Sequence, residues 1–302
     1  MFAHTQPVEH AVIVVVAASA VAWYGVGWLR TPHRRYPPLV AWAGGVATVA
    51  VATSPALERY AAQSFTGHMV QHLLLIVVAA PLLVVARPLR AVMLAVPHFV
   101  AHPGTRPVTR LGAGSEGAAR FRSVRRLARE VRRGWRRRAG VLAAVAFVST
   151  LVLTHLTVVY DLALRNRVVH DVEHVAYLAS AVALWATATA AGRSGGAGRV
   201  AMVFAVIAGS AFVGVVLLSA RAPLVPTYAD RLGTAAALDD QRAAASLMWV
   251  GGMAVTLPLL FTAVWRWAAA EERVAEQLEE YEHAGLRRAT LPADETTPMP
   301  PR

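Results

Sequence analysis

Five histidines stand where the chain is otherwise apolar. His68 and His72 open the run Ser64-Phe-Thr-Gly-His-Met-Val-Gln-His-Leu-Leu-Leu, His170 and His174 form a second pair, and His155 stands between the pairs. A spacing of i, i+4 stacks two imidazoles on one helix face, roughly 6 Å apart at Cβ. Such a pair can share one metal ion or line one polar pocket. A histidine inside a membrane span is costly and is a functional-site candidate by default. The chain has no cysteine, which excludes disulfides, thiolate metal sites and a cysteine nucleophile. A metal here is left to His, Met, Asp, Glu, Tyr or backbone groups. Imidazole suits copper, zinc, iron and nickel, with copper(II) held most tightly among these divalent ions, and thioethers such as Met69 and Met248 suit copper(I). Asp171 and Glu173 qualify as ligands or as acceptors that fix a histidine tautomer.

The elements that must position these residues are membrane helices. The 302 residues are 56% hydrophobic, with mean hydropathy +0.45; water-soluble domains average about 45–50% apolar. Repeated apolar runs of span length predict an all-α, polytopic transmembrane bundle. Seven segments emerge, at 8–29, 39–55, 66–87, 140–160, 168–190, 199–219 and 244–267. They form a membrane domain over 1–268, and a polar extension follows over 269–302, helical to 288 and then Pro-rich and disordered. The start of the chain lacks the basic region of a signal peptide, so no cleaved leader is expected.

Loop charge orients the bundle. Arg30, Arg34 and Arg35 follow the first span, the 88–139 link is crowded with Arg, and the links between are balanced. That alternation predicts an outside N-terminus and a cytoplasmic C-terminus. Within 88–139, Phe121, Val124, Leu127, Val131 and Trp135 recur at helical spacing. Arg125, Arg126, Arg132 and Arg133 lie between them, and Arg136 and Arg137 follow. This reads as an amphipathic helix anchored on anionic lipid, with no nucleic-acid role. On this topology all five histidines fall at the outer ends of three spans. Asp239 and Asp240 are expected just before the seventh span at the same end, with Met248 two turns in. A single histidine is readily explained as a core residue; five at one level, in two pairs, favour a shared metal or cofactor site.

Three chemistries fit that site. One is copper handling without catalysis. Another is a haem, held by one histidine from each pair, in a haem- or quinone-linked redox protein. The third is a zinc protease, because His170-Asp-Val-Glu173-His174 has the His-x-x-Glu-His form of inverted zincins, with Glu as general base.

Three blocks carry a resemblance. The first is His68-Met-Val-Gln-His72-Leu-Leu-Leu with Ala80-Pro-Leu-Leu and Arg87-Pro88. The second is His155, Tyr160-Asp161-Leu-Ala-Leu, His170-x-x-Glu173-His174 and Leu184-Trp185. The third is Pro226-x-Tyr228, Leu238-Asp239-Asp240-Gln241 and Met248-Trp249. In this order they resemble the CtaG family, membrane proteins tied to assembly of caa(3)-type cytochrome c oxidases. Two departures are the Ala243-Ala-Ala-Ser246 stretch and the long Arg-rich loop. The resemblance implies a non-enzymatic assembly factor, multi-pass in the bacterial plasma membrane, that handles or delivers copper. It also implies oxidase subunits and a copper chaperone as partners.

Overall fold

The structure, a computed structural model, describes residues 6–31, 36–88, 138–190 and 196–290. Every expected apolar segment is helical. Helix α1 is Gln6–Leu29 and α2 is Tyr36–Ala52. A short α3, Pro55–Gln63, leads to α4, Phe65–Leu73, which continues through a π-helical turn, Leu74–Ala79, into α5, Ala80–Ala86. Then come α6, Arg138–His155; α7, Val159–Arg165; α8, Arg167–Thr189; and α9, Gly196–Ser219. The short α10, Pro226–Leu232, precedes α11, Thr234–Thr290. The described residues contain no strand.

By length and composition five of the described helices can cross a bilayer, or six if the pair α2 and α3, bent by 48° at its break, is one broken span. The remaining expected segment, 168–190, is α8. It is long enough at 23 residues, but His170, Asp171, Glu173 and His174 crowd its first turns and make it less apolar than a lipid-facing span. Asp239 and Asp240 lie within α11 rather than before it, because that helix begins ten residues ahead of the expected boundary at 244. The Arg-rich loop with its six anchor arginines, and the Pro-rich end of the tail, lie outside the described residues.

Packing concentrates polar chemistry at one end. Phe65, Met69, Tyr160, Tyr177 and Tyr228 are buried together there with Ala244, Ala245 and Met248. A second core at the other end joins Ala80, Phe147, Ala181, Leu184, Met202 and Val206. The alanines matter, since small residues let membrane helices approach closely where burying apolar surface gives little. Large apolar side chains such as Phe204, Val250 and Phe261 point outward, as they do on helices bathed in lipid.

The π turn has a local cause. The Ala80 N–H bonds Leu75 O rather than Ile76 O. In the same π pattern Ile76 O would take its bond from residue 81, which is proline and has no N–H. Trp185 of α8 fills the gap, its indole N–H donating to Ile76 O at 3.0 Å. Two residues of the CtaG-like blocks, Pro81 and Trp185, thus explain each other. Trp185→Phe keeps the ring and removes the donor. It is expected to cost about 1–3 kcal/mol, the penalty of an orphaned buried carbonyl, read as a lower thermal midpoint in detergent. An unchanged midpoint would show that the bond contributes nothing.

Candidate metal centre

The site is built on the break between α3 and α4. Ser64 ends one helix and begins the next: its N–H bonds Tyr60 O, and its hydroxyl accepts from Gly67 N at 2.9 Å. Glycine is required at 67, because a Cβ there would sit 2.6 Å from the Tyr60 carbonyl carbon and oxygen. The first N–H groups of α4 are capped from far along the chain. Asp240 of α11 accepts from Phe65 N at 2.5 Å, Thr66 N at 3.3 Å and the Thr66 hydroxyl at 2.6 Å. Carboxylates at helix N-termini satisfy orphan donors and complement the helix dipole.

Helix α8 arrives beside α4 in register. Asn166 caps it by accepting from Val168 N and Val169 N. Its first turns then place His170, Glu173 and His174 on one buried face. The connecting α7 is fixed by Asp161, which accepts from the Thr227 N–H at 2.9 Å and hydroxyl at 2.6 Å. Burial works against the Asp161 charge, but the Thr227 bonds and Arg165 outweigh it and hold the carboxyl below its ordinary range. Tyr160 stacks on Phe65 with ring centroids 4.6 Å apart, and the Tyr228 hydroxyl donates to Ala61 O at 2.5 Å. Gln241 ties α11 to its surroundings by donating to Leu217 O and accepting from Leu224 N.

These supports bring two triads together. In the inner one, His68 Nε2 lies 3.0 Å from His72 Nε2. Glu173 faces both, with Oε2 3.4 Å from His68 Nε2 and Oε1 3.7 Å from His72 Nε2. His68 is 0% exposed, His72 2% and Glu173 3%. The outer triad is Glu58, His170 and His174, with His170 Nδ1 3.5 Å from Glu58 Oε2. Within each triad the candidate ligand atoms lie within 4.8 Å of one another. The triads share a wall: the His68 and His170 rings are 5.0 Å apart, and His72 and His174 5.8 Å.

His155 stands slightly apart. Its Nδ1 is 3.0 Å from Leu151 O, which can only accept, and this assigns the ring proton to Nδ1. The lone pair on Nε2 then faces Met69 Sδ at 3.4 Å, a nitrogen–sulfur pair at the edge of the pocket. Its ring is 5.9 Å from that of His72.

The pocket suits a cation. Glu173 Oε1 and Oε2, His68 Nδ1, His72 Nδ1 and His174 Nε2 are buried without a hydrogen-bond partner among the described residues. Buried polar groups are ordinarily paired, and an unpaired carboxylate in a low-dielectric interior is the most costly kind. One cation among the His68 and His72 Nε2 atoms and the Glu173 carboxylate would satisfy the carboxylate oxygens. The donor set of nitrogen and oxygen is one that copper, zinc, iron and nickel accept.

All five sequence-identified histidines therefore meet at one end of the bundle, in two triads and a flanking pair rather than one four-histidine shell. Glu173, expected to orient a histidine or to serve as a ligand, has the geometry of a ligand. Of the auxiliary candidates, Met69 lies beside His155 and Met248 belongs to the surrounding core. Asp171 is exposed and pairs with Arg167 at 3.9 Å. Asp239 is exposed and faces Arg242 at 3.8 Å. Asp240 caps α4. Glu58 is the residue that sequence reasoning missed, since in the sequence it reads as a loop charge. The signal that would have found it is Gln71, between the paired histidines, whose amide donates to Glu58 Oε1 at 3.3 Å and Ala52 O at 2.9 Å.

No curated protein and no solved structure matches the chain. The family model for the cytochrome c oxidase caa3 assembly factor matches residues 22–270. That stretch takes in every histidine of the centre, the capping aspartates, and both Pro81 and Trp185. Most of the chain is thus covered, and the protein belongs to the caa3 cytochrome c oxidase assembly factor family.

Proposed function

We propose that the protein binds copper in the His68–His72–Glu173 pocket and delivers it to a maturing cytochrome c oxidase, without catalysing a reaction. Copper is cargo in this reading, taken from a chaperone and passed to oxidase subunits. The observation that supports it is the Glu173 carboxylate, buried between two imidazoles with neither oxygen hydrogen-bonded within the described residues. Family membership supplies the process, and the copper centres of such oxidases supply the choice of metal. In this reading the membrane is the bacterial plasma membrane, and the orientation that the loop charges favour has the pocket at its outer face and the C-terminus in the cytoplasm.

The protease alternative needs Glu173 as a general base beside a metal on His170 and His174, yet its oxygens face His68 and His72. The haem alternative needs a plane between the two histidine pairs, whereas rings of different pairs pack 5.0–6.4 Å apart.

The test is metal analysis and a visible spectrum of detergent-purified protein, with oxidase activity in cells that make each variant. Copper without a Soret band is expected. His72→Ala is expected to lose the copper of this pocket and oxidase maturation together, whereas His283→Ala, on the exposed polar end of α11, changes neither. Full copper and full oxidase activity in His72→Ala would make the histidines structural. A Soret band would favour the haem reading.

A further inference from the structure

The two triads differ in how they meet solvent. The inner one is closed: the side chains of His68 and Glu173 are 0% and 1% exposed. In the outer one the His170 side chain is 10% exposed and that of Glu58 29%. Glu58 lies on the short helix α3, which bends off the end of α2, and the Gln71 amide holds its carboxylate in place. On the inner side of that triad, His174 Nε2 is buried without a hydrogen-bond partner among the described residues. Each triad has the same composition, two imidazoles and one carboxylate. An ion that leaves one meets a like set of ligands a ring's width away.

We propose that Glu58, His170 and His174 form a second divalent-cation station at the mouth of the pocket, from which the ion passes to His68, His72 and Glu173. This rests on the reading of the inner triad as a metal site. Passage is ligand exchange alone. The ion keeps its charge, gives up the Glu58 carboxylate and the imidazoles of α8, and takes the Glu173 carboxylate and the imidazoles of α4. Glu58 draws the hydrated cation from solvent. His170, 5.0 Å from His68 and 4.2 Å from His174 between ring centroids, is the bridge.

The test titrates the full-length protein in detergent with Zn(II), which has no redox chemistry, and with Cu(II). Wild type is expected to bind two equivalents. Glu58→Gln keeps the size and the Gln71 contact but removes the charge. It is expected to retain one equivalent and to fill the inner site at least tenfold more slowly. His72→Ala is also expected to retain one, and the double variant none. With two Cu(II) bound, the EPR signal of wild type should broaden through coupling between neighbouring ions, and that of Glu58→Gln should not. His170→Asn carries the same expectation should Glu58→Gln fail to fold. One equivalent in wild type, unchanged in Glu58→Gln and in His170→Asn but lost in His72→Ala, overturns the second station and leaves the inner site standing. No metal in wild type overturns both.

Discussion

Glu173→Gln is expected to empty the inner pocket of copper as completely as His72→Ala, with affinity there down by about 100-fold or more. Loss of a group that merely orients a ligand typically costs about 10–100-fold, and loss of a ligand at least as much. On sequence grounds Glu173 is the better candidate for orienting a histidine than for binding, and glutamine would then weaken binding without abolishing it. Its position between two imidazole Nε2 atoms changes that expectation. The stability of the metal-free protein should move the other way. An uncompensated buried carboxylate destabilises its surroundings, and a neutral amide of the same shape relieves the cost. Metal-free Glu173→Gln is therefore expected to melt at or above the wild-type midpoint, while metal raises the midpoint of wild type by more than that of the variant. Near-normal copper content in this variant would return Glu173 to a supporting part.

Among the described glycines, Gly67→Ala should be the most damaging, because it alone meets backbone at 2.6 Å. The new Cβ would meet backbone, 2.6 Å from the Tyr60 carbonyl, with the Tyr60 ring at 2.8 Å. No rotamer change relieves a clash with main chain, so α3 and α4 must separate. Overpacking of this kind costs about 1–3 kcal/mol, and here it also displaces Glu58 from His170. The variant should melt well below wild type and lose the outer equivalent of metal first. Gly25→Ala, where nothing lies within 4 Å of the added carbon, is the control and should be silent. Equal midpoints for the two variants would mean that α3 is free to move and that its place against α4 does not hold the site.

Much of this was legible in the sequence because lipid makes helices long and polar residues conspicuous. Two i, i+4 histidine pairs in apolar runs announce a common site, and loop lengths bring their helices to one end. The parts that stayed hidden depend on contacts between distant segments. Asp240 reads as one more charge before a span, yet its work is to cap a helix about 175 residues earlier. Glu58 reads as a loop acid because a bend between two short helices, not a run of hydropathy, carries it to the pocket. The division of the histidines into two triads is likewise invisible in spacing. It arises because Glu173 points along α8 toward α4, while His170 points toward α3.

The π turn has a consequence for phase. Each residue advances an α-helix by roughly 100°, so a turn that holds one more residue offsets everything beyond it by that angle. Above it, His68 and His72 face Glu173; below it, Ala80 and Ala86 face the cores of the other end. The two halves of this span are therefore aimed independently, and the wide turn is the dial between them. Removing one residue from Leu74–Ala79 would swing one half by about 100°, turning either the imidazoles away from the carboxylate or the alanines toward lipid. In this stretch the number of residues, more than their kind, is what the metal centre depends on.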